Sequence, residues 1–110
     1  MAKIEDFIKL DIRVGTIISP TSFPEARKPA KKLDIDFVEE IGIKHSSAQI
    51  TRRYNFEQLC GRQIVGVVNF PPMSIAGFKS EVLVIGGVPE DEDVALLKPD
   101  EFVRNGTRIS

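Results

Sequence analysis

Between Leu33 and Phe37 the chain alternates, with Leu33, Ile35 and Phe37 apolar and Asp34 and Asp36 acidic. A period of two puts each set on its own side of a pleated backbone, so this is a half-buried strand with one wet face. From Ile12 to Ile18 β-branched residues dominate around Gly15, which predicts a strand bent at its glycine. Ser19 to Pro29 holds three prolines and reads as a loop. A third strand is expected over Ile41–Ile50, joined by a tight connection near Glu39-Glu40. Further strands follow at Ile64–Val68 and Val82–Ile85, with shorter ones at Val94–Leu97 and Thr107–Ile109. Gly66, Gly86 and Gly87 read as bulge or turn positions, and Pro89 and Pro99 punctuate the tail.

Two segments carry helical signals. Over residues 3–10, Ile4, Phe7, Ile8 and Leu10 fall near helical spacing, and Glu5 and Asp6 occupy the first turn, where they favour the helix dipole. Asn55 to Gly61 has an N-cap asparagine and a terminal glycine one turn apart. Five strands with a helix between the third and fourth is the element order of an OB-fold, an all-β Greek-key barrel. Strand number alone would also suit a sandwich or an SH3-like barrel; the helix position favours the OB-fold. The short N-terminal helix and the extra C-terminal strands exceed what a five-stranded barrel needs. Such surplus apolar elements at both ends suit a two-fold interface through Ile4, Phe7, Ile8 and Leu10.

At 110 residues and 42% hydrophobic, the chain has the material for a single core and is expected to form one domain over residues 1–110. Its longest uninterrupted apolar run, Val82 to Ile85, is far short of the ~20 residues that span a bilayer, so no membrane insertion is expected. The first residues carry early acids and no apolar signal-peptide core. Cys60 has no second cysteine to pair with, so a reducing, cytoplasmic setting is expected.

Net charge is −1, which argues against a purely electrostatic nucleic-acid binder. Its distribution is uneven. Residues 1–54 hold ten Lys/Arg against eight Asp/Glu, and residues 89–110 hold three against six. Arg27, Lys28, Lys31 and Lys32 cluster, while Glu90 to Asp93 form an acidic run, so a local basic patch on a neutral body is allowed.

Catalytic chemistry has little to work with. One histidine (His45) and one cysteine (Cys60) leave no room for a triad, no metalloprotease or nucleophile-elbow pattern occurs, and a lone histidine is no metal site. No enzyme activity, metal or cofactor is expected. The stretch Asn69–Gly87 instead carries an apolar, proline-broken loop (Phe70, Pro71, Pro72, Met73, Ile75, Phe78) leading through Lys79-Ser80-Glu81 into a β-branched run. That order describes a loop at the mouth of a barrel, suited to contact with a partner.

Three segments together resemble a known family over almost the whole chain: LDIRVGTI (10–17), FPEARKPAKKLDIDF (23–37) with IGIKHSSAQIT (41–51), and NFPPMSIAGFKSEVLVIGG (69–87). They are similar to the tRNA-binding OB-domain family appended to some aminoacyl-tRNA synthetases, and within it to a branch of small export-associated chaperones. The resemblance implies an OB-barrel that dimerises through its N-terminal helix and C-terminal segments. It implies two kinds of ligand, tRNA for the family and unfolded or precursor polypeptide for the chaperone branch, with export machinery as a further partner. It also carries a tRNA contact onto Lys79 and Ser80.

The residues themselves leave the choice open. Arg27, Lys28, Lys31 and Lys32 lie in or beside the loop between the first two strands, a usual OB ligand edge, and serve either as phosphate contacts or as a solvated loop. Lys32, Asp34 and Asp36 share one face, so a phosphate backbone is expected to keep to the loop end. Lys44, on the third strand, suits a phosphate, and His45 either stacks on a base or is an ordinary surface residue. Met73 and Ser74 stand where many relatives have basic residues, which weakens tRNA binding and favours an apolar ligand. Exposed together, Phe70, Met73, Ile75 and Phe78 would form a peptide-binding patch; Met73 and Phe78 are expected to be exposed in it, while Phe70 and Ile75 are expected to fold back into the barrel.

Overall fold

The computed structural model describes all residues except 27–29, 39, 51 and 92. In chain order the elements are α1 (Ile4–Ile8), β1 (Ile12–Ser22), β2 (Lys31–Asp36), β3 (Ile43–Ala48), α2 (Phe56–Leu59), β4 (Gln63–Val67), β5 (Met73–Ile75), β6 (Phe78–Ser80), β7 (Leu83–Val84), β8 (Gly86–Glu90) and β9 (Asp93–Leu96). An antiparallel sheet in the order β3-β2-β1-β4-β7 curls into a nearly closed barrel, the OB-fold, with α2 between β3 and β4. The expected fold class stands. Two hairpins, β5–β6 and β8–β9, lie outside this sheet.

β1 holds the barrel together because it serves two partners. Its first half, Ile12 to Thr16, pairs with β4, and its second half, Thr16 to Ser22, pairs with β2. The strand therefore runs straight through the first part of the expected Ser19–Pro29 loop. Only its β2 edge is laddered there, so Pro20 removes little from the sheet. The register shift lies between Ile17 and Ser19, not at Gly15. Gly15 has another duty: a Cβ there would meet Phe37 Cε1 at 2.7 Å and Ile35 Cγ2 at 2.8 Å. Its missing side chain lets the core pack directly on the backbone.

The core contains Ile17, Leu33, Ile35, Phe37, Ile50, Leu59, Ile64 and Val82, so the alternation from Leu33 to Phe37 points as expected. A second cluster (Ile12, Val65, Val67) is joined by Leu10, Ile85 and Ile109. The C-terminal tail thus covers the far face of β4, which is buried along its whole length. Gln63 ties the tail down by donating to the Val103 carbonyl and to Asn105. Instead of a strand over Thr107–Ile109 there is one bridge, Arg13 to Arg108, flanked by backbone bonds to Val14 and Ile12. These fill the edge of β1 that β2 leaves free.

α2 forms as expected: the Asn55 side chain accepts from Gln58 N–H while Gln58 reaches back to Asn55 N–H. β5–β6 falls where a loop was expected; β8 covers Gly86 and Gly87, and its register against β9 shifts between Gly87 and Glu90, which accords with the bulge expected there. Gly66 lies within β4, laddered on both sides. The β5–β6 turn uses Ala76 (φ 47°) and Gly77 (φ 80°), the positive-φ pair of a type I′ turn. Alanine there hides the turn signal that Asn-Gly would have displayed.

Replacing Gly15 by alanine should destabilise the fold by about 1–3 kcal/mol through overpacking against Phe37 and Ile35. Urea denaturation read as a lower midpoint at unchanged slope checks this.

Candidate functional site

Barrel closure creates the site. β3 and the segment entering β7 do not form a regular ladder; they are held by Glu81 N–H donating to His45 O (2.7 Å) and by the buried Ser46 hydroxyl donating to Val82 O (2.7 Å). Glu81 also accepts from His45 N–H (3.1 Å), and Ser80 Oγ accepts from Ser47 N–H (3.1 Å). Residues 69–80 must therefore leave β4, project from the rim and return at one defined place.

On one side of that projection is a groove of about 620 Å³. Phe70, Pro71, Pro72, Met73, Ile75 and Leu83 give it an apolar lining, with Ser47 and Ser80 among its polar atoms. Met73 is 65% exposed, Leu83 52% and Phe70 44%. Phe70 does not fold into the barrel, and Ile75 is half-buried at the groove wall. Leu83 was missed in the sequence, although alternation within Val82–Ile85 turns it outward once Val82 is inside.

Phe78 is elsewhere. Instead of joining the groove it is half-buried and packs edge-on against Phe23, ring centres 5.4 Å apart, with His45 on another side at 6.2 Å. Lys32 Nζ lies over both phenyl rings, 4.6 Å from Phe23 and 5.1 Å from Phe78. A ring quadrupole attracts a cation placed over its face, so the two loops bordering the barrel face are tied together beneath Lys32. The expectation of an open Phe78 fails because Phe23, the first residue after β1, supplies it with an aromatic neighbour.

The lysines separate by environment. Lys31 continues the inward set of Leu33 and Ile35 and is 8% exposed. Its ammonium donates to the carbonyls of Ile50 (3.2 Å) and Tyr54 (3.1 Å), and burial pushes its pKa below the usual lysine value. This corrects its expected place on the same basic rim as Lys32, and parity from Leu33 carried the signal. Lys44 Nζ faces Glu81 at 3.8 Å, which offsets part of its charge. Lys79 is exposed and makes no ion pair among the described residues. Arg27 and Lys28 lie outside the described residues. The two strand carboxylates are occupied: Asp34 is 2.6 Å from His45 Nδ1, and Asp36 accepts from Val38 N–H. Surface ion pairs also tie the acidic β8–β9 turn to the β3–α2 connection, Arg53 to Asp93 through two bonds and Arg52 to Glu90 at 3.6 Å.

α1 buries none of its residues; Ile4 is 68% exposed, Ile8 60% and Phe7 41%. Leu10 departs from this face, since it packs on Ile12, Val65 and Val67 of its own chain. No helix among the described residues is long and apolar enough to cross a membrane.

Residues 12–108 match the tRNA binding domain. The chain belongs to the tRNA-binding-domain family. As a tRNA-binding-type domain it is 34% identical over 105 residues to a methionine–tRNA ligase of Methanococcoides burtonii, covering 96% of this chain but 15% of that enzyme's length. It superposes on the crystal structure of chaperone CsaA from Bacillus anthracis with TM-score 0.94 and 62% identity, covering 100% and 99% of the two chains. For the CsaA chaperone protein of Picrophilus torridus the TM-score is 0.93, with 49% identity and 100% coverage of both.

Within this domain the Arg53–Asp93 pair gives a pH signature. Hydrogen bonds from Arg53, helped by its charge, hold the Asp93 pKa below 3.8. The unfolded chain then binds more protons below that value, so the stabilisation is present above it and is lost as pH falls through the folded-state pKa. Asp93→Asn should lower stability slightly at neutral pH, where the exposed pair contributes, and converge with the parent in strong acid, so that the acid limb is flatter; urea midpoints from neutral pH into the acid range check it.

Proposed function

We propose that this protein is a non-catalytic, homodimeric chaperone that holds unfolded or export-bound polypeptide on a tRNA-binding OB domain. The open apolar groove of Phe70, Met73, Ile75 and Leu83 carries the reading. A patch of exposed apolar groups bordered by serine hydroxyls suits an extended chain with intermittent apolar side chains. Met73 adds an adaptable thioether, which favours varied clients over one fixed sequence. The likeness to the two CsaA chaperones supports the same assignment. A single cysteine and no membrane-crossing helix among the described residues accord with work in the cytoplasm, where precursors await export.

The occupant of the α1 face is a second copy of the chain. A five-residue helix is too short to persist in water alone, and its apolar residues find no cover within the subunit. Packing against a two-fold mate would supply both stability and cover. Ile8→Asp should then convert a dimer to a monomer, as measured by light scattering after size exclusion. A dimer that survives this change at low protein concentration contradicts the α1 interface.

A second reading is backbone-directed tRNA binding, favoured by the family match and by the cations Lys32 and Lys79, with Ser80 and Lys44 on the same neighbouring elements. The two ligands separate by salt. In parallel titrations, peptide binding should change little with salt and weaken about thirtyfold in the Met73→Ser/Leu83→Ser double variant, from about 1 kcal/mol of lost apolar burial per side chain. Retardation of tRNA should weaken with salt, and Lys79→Ala should flatten that slope by about 0.7–0.9. A denatured client that aggregates unchanged in the protein's presence rules out the chaperone reading; absence of tRNA binding at low salt rules out the second.

A further inference from the structure

At the end of the barrel where β2 begins lies a cavity of about 540 Å³ between Lys31, the β3–α2 connection and α2. It shares no lining residue with the apolar groove. Lys31 Nζ presents an ammonium with three N–H donors, of which two are spent on the Ile50 and Tyr54 carbonyls. Among the described residues no carboxylate lies within 4.0 Å of it. A buried cation left without a counter-ion is costly and is relieved by an anion. Among the described residues no carboxylate lines the cavity.

The other lining groups suit one kind of anion. Arg53 is committed to Asp93 by two hydrogen bonds. Arg52 is held loosely, 3.4 Å from the Asp91 carbonyl and 3.6 Å from the Glu90 carboxylate, so a phosphate could draw it in through shorter, charge-assisted bonds. Asn55 uses its Oδ1 to cap α2, leaving its amide N–H groups for a ligand. The Phe56 ring is 44% exposed, with Lys31 Nζ 5.4 Å from its centre. A flat exposed ring beside cations is the arrangement on which an unpaired base stacks while its phosphate is held.

We propose that this cavity is a nucleotide site, with the phosphomonoester on Lys31 and Arg52 and the base on Phe56. It goes beyond both readings above, since neither a polypeptide in the groove nor a backbone on the Lys32 face requires it. The same chemistry is offered by a free mononucleotide and by the terminal nucleotide of an RNA strand.

The test is an amide-resolved NMR titration of the full chain with adenosine monophosphate, adenosine and inorganic phosphate, repeated in Arg52→Gln and Phe56→Ala. Both substituted side chains are exposed and lie outside the core, so both variants should fold. Saturable shifts at Tyr54 to Gln58 are expected with the nucleotide, at least about tenfold weaker with adenosine or in either variant. RNA oligonucleotides with a 5′-phosphate or a 5′-hydroxyl separate the sources: a response to the phosphorylated strand assigns a strand end, and a response to the mononucleotide alone assigns a free nucleotide. The proposal is overturned if millimolar nucleotide leaves residues 54–58 unmoved, or if the shifts persist undiminished in both variants.

Discussion

Closure of the barrel between β3 and the segment entering β7 rests on a few hydrogen bonds rather than a ladder. The Ser46 hydroxyl reaches Val82 O, and Glu81 exchanges bonds with the His45 backbone through its own N–H and its carboxylate. Ser46 is buried, so leaving its hydroxyl or the Val82 carbonyl unpaired would cost about 1–3 kcal/mol. That penalty pins the return point of the chain. With both ends of residues 69–80 fixed on the rim, Phe70 and Met73 between them face outward and the groove stays open.

The same closure sorts the charges. Glu81 is placed within reach of Lys44, and Ser80 is drawn onto Ser47. Lys32 is held over Phe23 and Phe78, while Lys79 is left to solvent. The result is an apolar groove at the β5–β6 projection and, outside its lining, a cation-topped aromatic cluster around Phe78.

Much of the barrel was legible because its signals are local and mutually consistent. Leu33, Ile35 and Phe37 declare their side by alternation, and Asn55 with Gln58 declares a helix start. The failures also have local causes. Pro20 suggested a loop, yet a strand with one unladdered edge tolerates it. Ala76-Gly77 concealed a hairpin, because alanine seldom takes the positive φ that the turn imposes. At the site, Met73 was expected exposed and is, whereas Phe70, expected to fold back into the barrel, lines the groove. Phe78 was misplaced because its neighbour Phe23 lies 55 positions away in sequence.

Residue pattern alone determined the core of the architecture: the order of the five barrel strands, the apolar side of β2 and the place of the two short helices. Those properties follow from backbone periodicity and capping, which a stretch of neighbouring residues expresses by itself. Which cations and which apolar groups meet a ligand was decided only by the tertiary structure. Lys31 and Lys32 are adjacent and chemically identical, yet one is enclosed by carbonyls from the β3–α2 connection and the other stands over rings from two loops. Such surroundings are assembled from distant segments, and burial, not residue type, sets what each charge can do.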